Sequence, residues 1–297
     1  MPKVDIAVVG AGPAGVAAAA QCKRLGLSVL LLDKTGEVGG LVKEANRIEN
    51  YPGMSPMSGT DFVRLLGNHL TRFGLSVQKR RVVAVSATFE GFLLATDGGD
   101  IEARTVAVAV GTRPKRIHIP GSETVCYSPL DAASENGNEA VVIGGGEAAL
   151  DYALSLAAKG ISSTILVRGS ALRAYGILPA MIHQDDRIRI QLNAEPKEIS
   201  KTNAGILVTF KDAALKALSA HHVLAAVGRE PCIDNMVNGL DLGSMNTVAT
   251  NVPGLFVIGD ARTGTLGQIG TAVGDGLSAA APAAKIVFRT KTDCDSF

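Results

Sequence analysis

The run Gly10-Ala11-Gly12-Pro13-Ala14-Gly15 lies between a short apolar stretch, Val4 to Val9, and a row of small residues from Ala14 to Leu25. That spacing suits a phosphate. The first glycine permits a tight strand-to-helix turn, the second lets backbone approach a pyrophosphate, and the third lets the helix pack closely on the strand, while free N–H groups at the helix start face the anion. Such a site needs an acid some 20 residues further on to accept from a ribose hydroxyl. Asp33 stands there, closing the apolar run Ser28 to Leu32.

A second loop, Gly144-Gly145-Gly146-Glu147-Ala148-Ala149, has the same form with Ala149 in the place of the packing glycine. It sits between a strand pattern, Ala140 to Ile143, and a helix pattern, Ala148 to Lys159. The strand that follows, Ser163 to Val167, ends in Arg168, with Arg173 shortly after. A cation cannot accept from a ribose 2′-hydroxyl but pairs with a 2′-phosphate, which favours NADPH over NADH. The alternative is that these are solvated surface arginines. Two dinucleotide loops in one chain imply one bound flavin and one exchangeable nicotinamide, because hydride transfer needs a donor ring and an acceptor ring. The chain is therefore expected to be an oxidoreductase.

The elements needed to hold these loops are β-α-β units of parallel sheet. A third segment of that texture, Leu255 to Ile258 with Gly259-Asp260 and a helix from about Gly270 to Phe288, lies far from the first unit in sequence. Between them, Gly111-Thr112-Arg113-Pro114 and Gly228-Arg229-Glu230-Pro231 read as the two strands of a hinge. The expected class is α/β, with two Rossmann-like dinucleotide-binding domains. Residues 1–112 and 232–297 form a discontinuous FAD domain, and 113–231 an inserted NAD(P) domain. Thr290 to Phe297 reads as a frayed polar tail.

Composition narrows the partners. Lys and Arg number 29 against 28 Asp and Glu, a net charge of +1, so no global field favours nucleic acid or an anionic membrane. The apolar N-terminal stretch is cut by Gly10, Gly12, Pro13 and Gly15, which argues against a secretion signal. No uninterrupted apolar run reaches membrane-span length. Four cysteines in 297 residues are too few for a disulfide framework, which points to the cytoplasm. Glycine, at 34 residues, is in excess. His221-His222 has no Cys or carboxylate at ligand spacing, so no metal site is expected. Lys79-Arg80-Arg81 reads as a solvated turn.

Taken together, the motifs resemble the low-molecular-weight thioredoxin reductase-like flavoproteins over nearly the whole chain. They comprise both glycine loops, Gly39-Gly40, Ile48-Glu49-Asn50-Tyr51-Pro52-Gly53, Val106 to Pro114, Gly228 to Pro231, Val252 to Asp260, Gln268-Ile269-Gly270 and Val273-Gly274-Asp275-Gly276. The resemblance implies that Asp260 binds the FAD ribityl chain, that Asn50 and the backbone near Gly40 approach the flavin, and that Gln268 and Ile269 cover its ring. It adds Lys34, Leu41, Val83, Gly111 and Gly259 to the FAD set. It assigns Gly144, Gly146, Glu147, Ala149, Arg168 and Arg173 to NAD(P), and implies a homodimer.

The departures carry as much information. Thioredoxin reductases have Cys-x-x-Cys-Asp ahead of the second glycine loop. In this chain those positions are Tyr127, Leu130 and Asp131, and Cys126 is one place out of register. Exchange with a dithiol needs an attacking and a resolving thiol, so the usual reduction of thioredoxin is not expected. Cys126, Tyr127 and Asp131 are the remaining catalytic candidates. Cys126 reads otherwise as a small buried residue, and Asp131 as a helix N-cap ahead of Ala132-Ala133-Ser134. Leu41 stands where the family often has glutamine, Gly267 where it often has arginine, and Gly169 breaks the basic pair after Arg168.

The sequence thus predicts hydride transfer from NAD(P)H to FAD and on to a non-dithiol acceptor, a small molecule or a protein. A second reading is a reductase linked to ferredoxin or flavodoxin, against which the short stretch after Phe288, with Phe297 its last aromatic, counts. A third is a non-catalytic flavin-binding sensor or scaffold.

Overall fold

The computed structural model describes residues 3–132, 138–233, 236–264 and 267–294, with side chains to residue 289. The chain divides into two compact units. One comprises Met1–Lys43, Arg47–Arg113 and Arg229–Phe297, and the other Glu44–Asn46 and Pro114–Gly228.

The first unit opens with β1 (Val4–Val9), α1 (Pro13–Arg24), β2 (Val29–Asp33), α2 (Gly59–Arg72), β3 (Val77–Lys79), β4 (Val82–Thr88), β5 (Gly91–Thr96) and β6 (Ile101–Val108). A short strand β7 (Thr112–Pro114) leaves it. The second unit holds β8 (Glu139–Ile143), α3 (Glu147–Ala158), β9 (Ser162–Leu166), α4 (Ile177–His183), β10 (Ile188–Gln191), β11 (Pro196–Thr202), β12 (Gly205–Phe210), β13 (Leu218–Ala220) and β14 (His222–Ala225). The chain returns through β15 (Arg229–Pro231), which pairs with β7, to β16 (Leu255–Val257), α5 (Asp260–Thr263) and α6 (Ile269–Cys294).

Strands in the first sheet follow the order β3-β2-β1-β6-β5-β4, with β16 also on β6. The β1, β2, β3, β6 and β16 pairings are parallel, whereas β4 and β5 add on antiparallel. Parallel strands need both faces covered, and β1, β2, β16 and the second half of β6 are accordingly mostly apolar, whereas the edge strand β3 reads Val-Gln-Lys. Alanine and glycine on α1 and α6 make the cover thin. A Cβ at Gly276 would lie 2.3 Å from the carbonyl oxygen of Ala14, so the two helices meet nearly backbone to backbone. Ser58 starts α2 by accepting from Asp61 N–H at 3.1 Å while its hydroxyl donates to the Asp61 carboxylate, a reciprocal cap.

In the second unit a parallel sheet, β10-β9-β8-β14, carries α3, and β11-β12-β13 form an antiparallel meander. One expectation is corrected: the chain after Arg289 is not frayed at once, since α6 runs on to Cys294. A long helix already nucleated extends by one hydrogen bond per residue, and the polar sequence beyond 289 does not stop it. Asp295 to Phe297, including the last aromatic, lie outside the described residues. No helix among the described residues is long and apolar enough to cross a membrane.

Candidate dinucleotide sites

Gly10 adopts φ +107°, and a Cβ there would come within 2.3 Å of the Ala109 carbonyl oxygen, so no side chain fits where β1 turns into α1. Gly144 is its counterpart in the second unit, at φ +149° and 2.4 Å from the Ala226 carbonyl oxygen. The sterics that selected glycine at both loops are therefore the same.

Around the first loop, Ala11 N–H donates to Asp33 Oδ2 at 3.1 Å, while Asp33 Oδ1 accepts from the backbone and hydroxyl of Thr35 at 2.8 and 2.7 Å. Asp33 is thus fixed at the end of β2, beside the loop. Gly39 N–H donates to the Ala11 carbonyl at 2.9 Å, which brings Gly39-Gly40 against the glycine turn. Gly12 and Gly40 lie backbone against backbone: a Cβ on Gly40 would meet Gly12 Cα at 3.5 Å, and one on Gly12 the Gly39 carbonyl oxygen at 3.8 Å. Lys34 and Leu41, next in sequence to Asp33 and Gly40, are exposed.

Asp260 follows β16 and is half-buried, and its carboxylate accepts no hydrogen bond from the described residues. Burial pushes its carboxyl upward, Arg229 opposes this and Asp275 adds to it. Asn50 Nδ2 donates to Gln268 Oε1 at 2.6 Å, and Ile269 begins α6. Val83 falls at a bulge in the β4–β5 ladder, between Val82 and Ala84, so it is skipped in the pairing. Gly111, at φ +66°, accepts from Cys232 N–H at 3.2 Å just before β7.

In the second unit α3 begins at Glu147 behind Gly146, whose Cβ position is open. Ala149 lies within contact distance of Gly144, which explains why alanine suffices there. The Gly145 carbonyl accepts from Arg173 N–H at 2.7 Å, tying the segment after β9 to the loop. Arg168 and Arg173 are exposed, and neither has an ion pair within 4.0 Å among the described residues. Exposed cations, Arg173 tied by its backbone to the glycine loop and Arg168 acting by its charge on Glu195, are a phosphate-compatible arrangement.

The three catalytic candidates separate. Tyr127 is buried in the core of this unit, with its ring under Arg116 Cζ at 4.2 Å from the centroid. Its hydroxyl accepts from Ile117 N–H at 3.1 Å and its carbonyl from the Tyr152 hydroxyl at 2.9 Å. Cys126 is half-buried beside β14, bonded through its backbone to Val223 and Ala225. Burial, and then the charge of Asp131, push its thiol upward, away from the reactive thiolate. Asp131 is exposed and ends a 3₁₀ turn that Ser128 caps, by accepting from Leu130 N–H at 3.2 Å. The helix Asp131 was expected to cap includes Ala133 and Ser134, which lie outside the described residues. His222 is buried within β14.

Residues 4–276 match the model of the pyridine nucleotide-disulphide oxidoreductase family. The chain belongs to that family. Members depend on FAD and NAD(P)H. Within it, the chain is 30% identical over 292 residues to the thioredoxin reductase of Bacillus subtilis strain 168, covering 93% of this chain and 92% of that one. It is also 30% identical over 274 residues to a ferredoxin--NADP reductase of Ignicoccus hospitalis, covering 86% and 89%. The crystal structure of Lactococcus lactis thioredoxin reductase superposes with a TM-score of 0.86 at 28% identity, over 97% of this chain and 100% of that one. This family assignment accounts for both glycine loops and for the strand order.

Sequence reasoning missed Thr35 as a partner of Asp33. It also missed a cluster on the first unit in which Arg262 Nε and Nη2 donate to Asp275 Oδ2 and Oδ1 at 2.8 and 2.7 Å. Their separation of 13 residues carries no local signal.

Proposed function

We propose that this chain is an FAD-dependent oxidoreductase that takes hydride from NAD(P)H and delivers electrons to an acceptor other than a dithiol protein. The observation that carries the second half is Tyr127. Where the resembling reductases have their first cysteine, this chain has a buried aromatic ring whose hydroxyl and carbonyl are both engaged. Cys126, its neighbour in sequence, has no cysteine within three residues to resolve a mixed disulfide.

The residues present fit the cofactor. Gly12 and Gly40 offer bare backbone to a pyrophosphate, Asp33 an acceptor to a ribose, and Asp260 an unpartnered half-buried carboxylate to a polyol. When bound, the flavin supplies two-electron chemistry, accepting from a nicotinamide and passing electrons onward. The chain's own part is orientation. α1 presents its N–H groups to the phosphates, Gln268 held by Asn50 stands at the start of α6, and Arg168 and Arg173 offer charge to the phosphates of the second nucleotide.

Anaerobic mixing of the yellow protein with NADPH or NADH tests the donor half, with loss of flavin absorbance the expected result and no bleaching by either the contrary one. Turnover with ferricyanide or a quinone, alongside none with thioredoxin or a small aromatic disulfide, is expected for the acceptor half. Sustained reduction of thioredoxin would refute it. The Ignicoccus hospitalis relative supports a second reading, exchange with a one-electron carrier protein. Under it, reduced ferredoxin bleaches the flavin and NAD(P)H does not.

A further inference from the structure

The charge of Arg229 acts on Asp260, but among the described residues neither it nor Arg262, two positions further on in sequence, forms an ion pair with that carboxylate within 4.0 Å. Arg229 gives its Nε and Nη2 to the hydroxyl and carbonyl of Thr112, both at 2.8 Å. Arg262, two residues beyond Asp260, is turned instead onto Asp275 of α6, in a two-pronged ion pair that is only 17% and 10% exposed. Its third nitrogen, Nη1, donates to the Met245 carbonyl at 3.2 Å, on a residue held at φ +56°. Asp275 Oδ2 accepts, besides, from Gly259 N–H at 2.9 Å.

Gly259 is the residue on which the turn into Asp260 depends. At φ +66°, a Cβ on it would come within 2.8 Å of the Ala14 Cβ, so this turn packs directly on the first residues of α1. The Asp275 carboxylate therefore ties together three separated pieces: the turn after β16, the start of α1 through Gly259, and, through Arg262, the loop at Met245.

We propose that Arg262 and Asp275 are positioning residues of the flavin site, holding the Gly259–Asp260 turn against α1 and so setting where the Asp260 carboxylate stands for the cofactor's hydroxyls. This rests on the FAD reading above. A pair that served the fold alone would be dispensable, since replacing a buried ion pair by apolar residues of similar size is often neutral. A positioning pair is not, because Gly259 N–H then loses its acceptor.

The test compares wild-type holoprotein with the double variant Arg262→Met/Asp275→Leu, with Asp275→Asn and with Arg262→Lys. FAD dissociation is read from flavin fluorescence on dilution, and the setting of the bound ring from visible circular dichroism. Far-ultraviolet circular dichroism reports folding separately. In the double variant the FAD Kd is expected to rise about tenfold or more, with an altered visible spectrum and unchanged helix content. Asp275→Asn, which keeps a carbonyl oxygen for Gly259 N–H, is expected to stay within about threefold of wild type. Arg262→Lys keeps a charge against Asp275 and so folds whether or not the double variant does. It loses the fork, and is expected to show a rise of about threefold with the same spectral change.

Wild-type Kd and spectrum in both the double variant and Arg262→Lys would overturn the assignment, as would an Asp275→Asn no better than the double variant. A wild-type chain that takes up no FAD overturns the cofactor reading itself, a result distinct from flavin-bearing variants that all behave alike.

Discussion

Asn50 Nδ2 and Gln268 Oε1 meet at 2.6 Å across 218 residues of sequence. Asn50 follows the isolated bridge that Ile48 makes with Met57, and Gln268 immediately precedes α6, so one side-chain bond fastens a loop to a helix start. Both side chains are exposed, hence available to a ligand lying over them. Asn50→Ala is expected to leave the fold intact and to raise the FAD Kd about three- to tenfold, the size of one neutral hydrogen bond of about 1 kcal/mol. Equilibrium dialysis of the flavin gives the number, and an unchanged Kd would place the pair outside the site.

Tyr127 makes restoration of a redox disulfide costly. Tyr127→Cys removes a buried ring and a hydroxyl that satisfies Ile117 N–H, and is expected to lower stability by about 3 kcal/mol or more. Tyr127→Phe, which loses only the hydroxyl, is expected to cost about 1 kcal/mol. Urea denaturation at constant flavin separates the two. Cys126→Ser, in contrast, is expected to leave NAD(P)H-dependent reduction of ferricyanide within about twofold of wild type, because its raised thiol is a poor nucleophile.

Nucleotide preference should follow the two exposed arginines after β9. Arg168→Ala is expected to raise KM for NADPH about tenfold and to leave KM for NADH nearly unchanged, as loss of a charge-assisted phosphate contact requires. Equal effects on both nucleotides would mean that Arg168 contacts a pyrophosphate or nothing.

Asp151, on α3, titrates at the cost of stability. Burial pushes its carboxyl up to about 6, and the charge of Glu44 adds to this, against the lowering by Asn46 N–H, which it accepts at 3.2 Å. The folded chain therefore holds this proton more tightly than the unfolded chain does. Stability falls as pH rises through the interval from the ordinary carboxylate value of 3.8 up to about 6. Asp151→Asn, which cannot ionise, is expected to be more stable than wild type above that interval by about 2–3 kcal/mol. The two melting curves should converge on acidification below it. Parallel curves at every pH would refute the account.

Much of this molecule is written locally. The glycine loops, Asp33 at a strand end, the Gly/Pro crossings and Gly259-Asp260 were legible because each answers a steric or backbone demand made by its immediate neighbours. Strand order follows in outline from the β-α-β pattern, since a parallel crossover leaves few alternatives. The span of α6 was misjudged at its end because polar residues after a long apolar helix carry no stop signal of their own.

What sequence alone determined, then, is that this chain has two glycine-rich strand-to-helix turns and no Cys-x-x-Cys. Only the tertiary structure decided how Tyr127 fills its place in the core, that Asn50 reaches Gln268, and that Arg262 grips Asp275. The physical reason is range. A turn is fixed by the φ and ψ of a few consecutive residues, whereas a side-chain pair depends on where β16 and α6 come to lie against β6 and α1, and that is set by the burial of the whole sheet.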